Sequence, residues 1–166
     1  MSVEQVIKEL NSLNEIYEQL LDTAQIKKTV VINNDVAELT RLMTLENRLL
    51  KQIDHIEQRR AVSMSAFLKE KGIRSNLNLT ITEIARLVFD PDEKKALLEI
   101  RDTLVENGRA LKRENEIIQQ LIEQSMQFID FSLNILIDHE DDLIYQNPAQ
   151  QSSQYPKNTH FLDTKA

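Results

Sequence analysis

The chain has 166 residues with two glycines, three prolines and no cysteine. So few turn-forming residues argue against a sheet-rich fold, because every strand needs a turn. The lack of cysteine excludes disulfides, thiolate catalysis and cysteine-ligated zinc. A net charge of −7 repels phosphate backbones, so nucleic acid is not expected as a partner. No signal peptide and no apolar run of about 18 residues is found, which predicts a cytoplasmic protein without membrane insertion.

The N-terminal segment has the apolar spacing of a helix that packs along another helix. Ser2 followed by Gln5 forms a potential capping box, and the pattern predicts a helix over residues 2–31. Asn33-Asn34 then breaks the pattern. Apolar positions recur at alternating steps of three and four residues, which is the spacing of a heptad seam. These positions are Val3, Val6, Leu10, Leu13, Tyr17, Leu20 and Ala24.

The second predicted helix covers residues 36–71. Asp35 with Glu38 forms a second potential capping box at its start. Gly72 is placed to end it in the left-handed conformation that glycine adopts without strain.

Two further helices follow. Thr80 with Glu83 forms a third capping box and predicts a short helix over residues 81–89. The tetrapeptide Asp90-Pro91-Asp92-Glu93 combines an N-cap, a proline at the first helical position and an early acid. It predicts a long helix over residues 91–145.

The predicted fold is all-α. We expect an elongated antiparallel helical bundle, or a coiled-coil hairpin, with one very long C-terminal helix. In this arrangement the first two helices form the hairpin, the fourth packs along it and the third is a connector. Residues 1–145 form the helical bundle, and the polar composition of residues 146–166 predicts a disordered tail.

Catalytic and metal-binding motifs are not found. Ferritin-type bundles carry Glu-x-x-His on two helices, and none of His55, His139 and His160 has a glutamate three residues earlier. The acidic residues around His139 point to different faces of a helix, and we interpret them as a solvated helix end. Two glycines exclude a glycine-rich phosphate loop. We therefore expect neither enzymatic activity nor a cofactor, and no catalytic or metal-binding residue.

The most informative segment is residues 114–145, which hold eight acidic residues and no Lys or Arg. This segment carries two apolar stripes, whereas a surface helix in a small bundle needs one. The first stripe continues the heptad spacing, and we call it the structural seam: Asn115, Ile118, Ile122, Ser125, Ile129 and Leu136. The second stripe lies roughly 90° around the helix and comprises Ile117, Leu121, Phe128, Phe131 and Ile135.

The second stripe requires a cover. The chain's own helices, a second copy or a different partner are the three possibilities, and exposed apolar patches usually mark partner sites. Asn115 and Ser125 are interpreted as polar groups that set the register of the bundle, with direct ligand contact as the alternative.

Two stretches resemble a known family. The run Asn115-Glu-Ile-Ile-Gln-Gln-Leu-Ile-Glu-Gln-Ser-Met-Gln-Phe-Ile is similar to the C-terminal signature of the FlgN family of flagellar export chaperones. The ending Phe161-Leu-Asp-Thr-Lys-Ala resembles the Asp-x-Lys-Ala ending of family members from Bacillus-like bacteria. The similarity in helical plan extends over nearly the whole chain.

The resemblance implies a cytoplasmic chaperone without catalysis or cofactor. Its clients would be the hook–filament junction proteins FlgK and FlgL, whose C-terminal helices it would keep unassembled and deliver to the flagellar type III export apparatus. The second stripe would be the client-binding surface. Two alternatives stay open at this point: an export chaperone for the filament cap or flagellin, and a structural coiled coil that buries its second stripe by forming a homo-oligomer.

Overall fold

A computed structural model describes residues 2–73 and 79–144, with side chains for 3–73 and 79–137. Within these ranges the chain forms four helices and no strand, which confirms the predicted all-α class. The helices are α1 (Ser2–Ile32), α2 (Val36–Glu70), α3 (Ile81–Leu87) and α4 (Pro91–Ile144). The predicted tail over residues 146–166, with its ending Phe161-Leu162, lies outside the described residues.

The chain divides into two compact units, Met1–Gln127 and Phe128–Ala166. The first unit contains α1, α2, α3 and the N-terminal part of α4. The described portion of the second unit is the remainder of α4.

The turn between α1 and α2 depends on the backbone of Asn34. This residue has φ of 54°, in the left-handed region. The Asn34 amide donates to the carbonyl of Val31 and the Asp35 amide donates to the carbonyl of Val30, both at 3.1 Å. These two bonds form a Schellman motif, which satisfies carbonyls at the end of α1.

Asp35 also begins α2. Its carboxylate accepts a hydrogen bond from the Glu38 amide at 3.0 Å. The Glu38 carboxylate binds Arg41 at 2.6 Å instead of returning to the Asp35 amide, which donates to α1. The capping box predicted for this helix is therefore only half formed.

Three other predicted helix boundaries have the expected chemistry, whereas α3 ends at Leu87 and not at residue 89. Gly72 has φ of 72°, and its amide donates to the Lys69 carbonyl at 3.0 Å. Thr80 and Glu83 form both halves of a capping box at the start of α3. At α4 the Asp90 carboxylate accepts from the amides two and three residues later, at 2.8 and 3.0 Å.

Polar pairs give the direction in which α1 and α2 pack. Glu9 binds Arg59 at 2.9 Å, and Lys27 binds Glu46 at 2.7 Å. The residue number rises along α1 while it falls along α2, so the two helices are antiparallel, as predicted for the hairpin. Glu9 is buried and also accepts from Gln5 at 2.7 Å, so its carboxylate is satisfied.

Within the first unit α4 runs parallel to α1. Asn107 donates to Asn14 at 2.7 Å, and Lys28 binds Glu114 at 2.5 Å. Both numbers rise together along the two helices. Helix α1 therefore has α2 and α4 as partners, and α4 is antiparallel to α2.

Two apolar clusters form the core of the first unit. The cluster at the N-terminal end of α1 includes Phe67 and Leu97, both fully buried, together with residues of α3. The second cluster lies farther along α1, where Leu104 and Leu111 of α4 pack against it. Its buried members are Leu13, Ile16, Leu20, Leu49 and Ile56. Among the residues described, no helix is sufficiently long and apolar to cross a membrane.

The left-handed conformation of Asn34 leads to a stability prediction. The left-handed conformation costs a residue with a Cβ about 1–2 kcal/mol of free energy, and this cost is smaller for asparagine than for most residues. We expect Asn34→Ala to reduce the free energy of unfolding by about 1 kcal/mol, and Asn34→Gly to leave it unchanged or raise it. Urea unfolding measures both. The control is Asn33→Ala, since φ is not positive at residue 33. Equal effects of alanine and glycine at residue 34 would contradict this account.

The ion pair between α1 and α4 leads to a prediction about pH. The hydrogen-bonded ammonium of Lys28 lowers the pKa of Glu114 below its usual value of 4.5. A lowered pKa in the folded state stabilises the fold above pH 4.5, and this stabilisation is lost as the pH falls through the folded-state pKa. We expect Glu114→Gln to be less stable than the parent at neutral pH, with the difference shrinking as the pH falls below 4.5 and through the lowered pKa of Glu114.

The measurement is the urea midpoint as a function of pH. Glu116→Gln is the matched control, because it removes an exposed carboxylate two residues away that lies outside this ion pair. A difference between Glu114→Gln and the parent that is independent of pH would refute the assignment.

Candidate functional site

Within the first unit, apolar residues of α4 are buried or half-buried at seven-residue steps from Leu97 to Ile118. Leu97 is fully buried, Leu104 and Leu111 are half-buried, and Ile118 is 3% exposed. Ile118 is the last buried residue of α4 among the side chains described. It lines a groove that α1, α2 and α4 form within the first unit. The ion pair between Glu114 and Lys28 lies one turn before it.

The seam residues fall into different environments. Ile118 is buried, Ile122 and Ser125 are half-buried, and Asn115 is exposed. In the second unit Ile129 is 50% exposed and Leu136 is 62% exposed. The structure thus differs from the expectation that the seam packs in the bundle core over its whole length. The heptad period continues unchanged beyond Ile118, so spacing alone does not show where burial ends.

The second stripe is exposed at most of its positions. In the first unit Leu121 is half-buried and Ile117 is 43% exposed. In the second unit Phe128 is 67% exposed, Phe131 is 62% exposed and Ile135 is 45% exposed. The two phenylalanines lie one turn apart on the same side of the helix, with Ile135 one turn farther on.

The polar residue that pairs across helices is different from the one expected. The sequence suggested Asn115 as a register-setting group, but Asn115 is exposed and lines grooves of the first unit. The amide pair between α1 and α4 is Asn14 with Asn107. Two amides at facing positions of one interface cannot be recognised in a sequence without knowing which helices are neighbours.

We define residues 128–137 as the exposed segment. Seven of these ten residues are apolar, and all seven are exposed. Leu133 and Ile137, at 50% and 57% exposure, were not among the predicted client-binding residues. A helical wheel of the complete segment would have identified them, because its apolar residues extend well beyond two narrow stripes.

The exposed segment has three polar residues, and the hydroxyl of one of them, Ser132, donates a hydrogen bond within the helix. Ser132 donates to the carbonyl of Phe128 at 2.8 Å, so its hydroxyl is turned along the helix. Asp130 and Asn134 are the two others. An exposed, mostly apolar helical segment is typical of a surface that binds another protein.

Nothing in the described part of the chain suggests metal or catalytic chemistry. No three His, Cys, Asp or Glu side chains among the described residues lie close enough together to hold a metal ion. The side chains around His139 lie outside the described residues. The surface therefore offers apolar contact and negative charge.

Comparison with known proteins identifies the family. The family model described as FlgN protein matches residues 1–153. A protein of Bacillus subtilis (strain 168), described as uncharacterized protein YvyG, is 26% identical over 166 residues, which is the full length of both chains. No solved structure gives a significant match. The chain belongs to the FlgN family of flagellar export chaperones, which is not a family of enzymes.

Proposed function

We propose that this member of the FlgN family binds the C-terminal helices of FlgK- and FlgL-like hook–filament junction proteins in the cytoplasm. It keeps these clients unassembled and delivers them to the flagellar type III export apparatus. The client-binding residues are those of the second stripe: Ile117, Leu121, Phe128, Phe131 and Ile135. Within this stripe the strongest contribution comes from the three members that lie in the exposed segment.

The exposure of Phe128 and Phe131 is the observation that supports this proposal. Two phenylalanines that are each more than 60% exposed, one turn apart, are costly to leave in water, since fully burying such a side chain gains about 1.5–3 kcal/mol. A client helix that packs against other helices in an assembled filament has a matching apolar face. The client helix packs on α4 in the helix-in-groove manner, and this contact covers its apolar face until export.

The charge of the segment favours a client with basic flanks. Residues 114–145 contain eight acidic residues and neither Lys nor Arg. Complementary charge at the edge of an interface mainly sets orientation and association rate. Ordering a client segment that is unfolded when free offsets part of the binding energy, which keeps the complex releasable at the export apparatus.

Two alternatives make different predictions. A chaperone for the filament cap or flagellin would bind those proteins in preference to the junction proteins. A structural coiled coil would bury the exposed segment against a second copy and ignore all these clients. The acid-only charge argues against the second alternative, because two copies would bring like charges together.

We predict that Phe128→Ala and Phe131→Ala weaken client binding and leave the stability of the fold unchanged. Central aromatic anchors contribute about 2 kcal/mol or more to binding, which is roughly a thirtyfold rise in the dissociation constant. The probe is the C-terminal segment of the FlgK-like junction protein from the same organism. The dissociation constant and the urea midpoint are measured for each variant.

Two control variants distinguish a loss of client binding from a loss of stability. Ile118→Ala removes a residue that is 3% exposed, and it should reduce the free energy of unfolding by about 2–5 kcal/mol. Asn134→Ala changes an exposed polar residue of the same segment and should alter neither quantity. If Phe128→Ala and Phe131→Ala lower the urea midpoint as Ile118→Ala does, while the probe binds undiminished, the surface is structural and the proposal fails.

A further inference from the structure

The exposed segment carries two separate apolar faces. With about 100° per residue, three residues cluster on one side, which we call the phenylalanine face: Phe128, Phe131 and Ile135. Four others cluster on a second side, which we call the leucine face: Ile129, Leu133, Leu136 and Ile137. The centres of the two faces are roughly 150° apart around the helix axis.

Both faces are exposed to a similar degree. The phenylalanine face is 45–67% exposed and the leucine face is 50–62% exposed. The phenylalanine face has the three-and-four spacing along which one partner helix packs, and so do Ile129, Leu133 and Leu136 of the leucine face. Polar residues lie between them: Ser132 on one side, and Asp130 with Asn134 on the other. One helix covers a stripe of about 100°, so a single partner helix leaves one of these faces in water.

From this geometry we infer that the client supplies two helices, which pack on opposite sides of the exposed segment. The inference rests on the proposed function and specifies the shape of the partner. The axes of packed helices are 8–10 Å apart, so two helices flanking α4 lie about 16–20 Å apart. A connection that spans this distance needs at least about five to six extended residues. The client segment is therefore two amphipathic helices joined by a linker, and not a tight hairpin.

A second copy of this chain is a poor cover for the leucine face. It would place an acid-only segment next to another, since residues 114–145 contain no Lys or Arg. Like charges at close range oppose such a contact. A client helix with basic residues beside its apolar stripe meets the same surface with complementary charge.

The absence of cysteine from the sequence allows a direct footprint. Three full-length variants place one thiol each: Phe131→Cys on the phenylalanine face, Leu133→Cys on the leucine face and Asn134→Cys on the polar side. Alkylation by iodoacetamide is timed with and without the client segment that contains both helices and their linker. The client is added at about 100 times the dissociation constant of each variant, so a covered thiol reacts about a hundredfold more slowly.

We expect strong protection at residues 131 and 133 and none at residue 134. A Leu133→Cys thiol that stays fully reactive while Phe131→Cys is protected would overturn the inference and leave the proposed function standing. Protection of Leu133→Cys by higher chaperone concentration alone would assign that face to a second copy and also overturn it. Absence of any client binding to the unsubstituted protein would reject the proposed function, and this inference with it.

A shortened linker tests the placement on opposite sides. We expect a client segment whose linker is cut to two residues to protect only one of the two thiols. If this shortened client still protects both Phe131→Cys and Leu133→Cys, the two helices bind as a one-sided hairpin and the opposite-side arrangement is wrong.

Discussion

The first unit depends on α1, because both of its long partners are fixed to it. Ion pairs attach α2 to α1 in an antiparallel direction, and the pairs Asn14–Asn107 and Lys28–Glu114 attach α4 in a parallel direction. Helix α1 ends at Ile32, where Asn34 turns the chain back. The length of α1 therefore limits how much of α4 it can bury, and Ile118 is the last buried residue described on α4.

The described side chains of the second unit, those of residues 128–137, are largely exposed. Seven apolar residues within residues 128–137 are exposed, although burial of such side chains is the main driving force of folding. Exposed apolar surfaces of this kind usually mark sites of interaction. The negative charge of the surrounding sequence disfavours contact between copies.

Much of the fold could be predicted from local chemistry. Capping residues such as Asp35, Thr80 and Asp90 act within three residues of themselves, and the seam of α1 is a short-range period. The environments of Asn115, Asn107 and Ile129 could not be predicted, because they depend on which segments of different helices lie side by side. The heptad spacing is the same where α4 is covered and where it is exposed. The role of the second stripe as a client-binding surface is a proposal, because binding depends on a partner that the sequence does not contain.

Residues 128–137 of α4 are proposed as the surface that the client covers. Amide hydrogen exchange on the full-length chain, with and without the C-terminal segment of the FlgK-like protein, measures this coverage. An uncovered helical segment opens locally and its amides exchange fast. We therefore expect client binding to slow amide exchange at residues 128–137 and to leave the exchange rates in α2 unchanged. If the client slows exchange in α1 and α2 but does not slow it at residues 128–137, this assignment of the client surface is wrong.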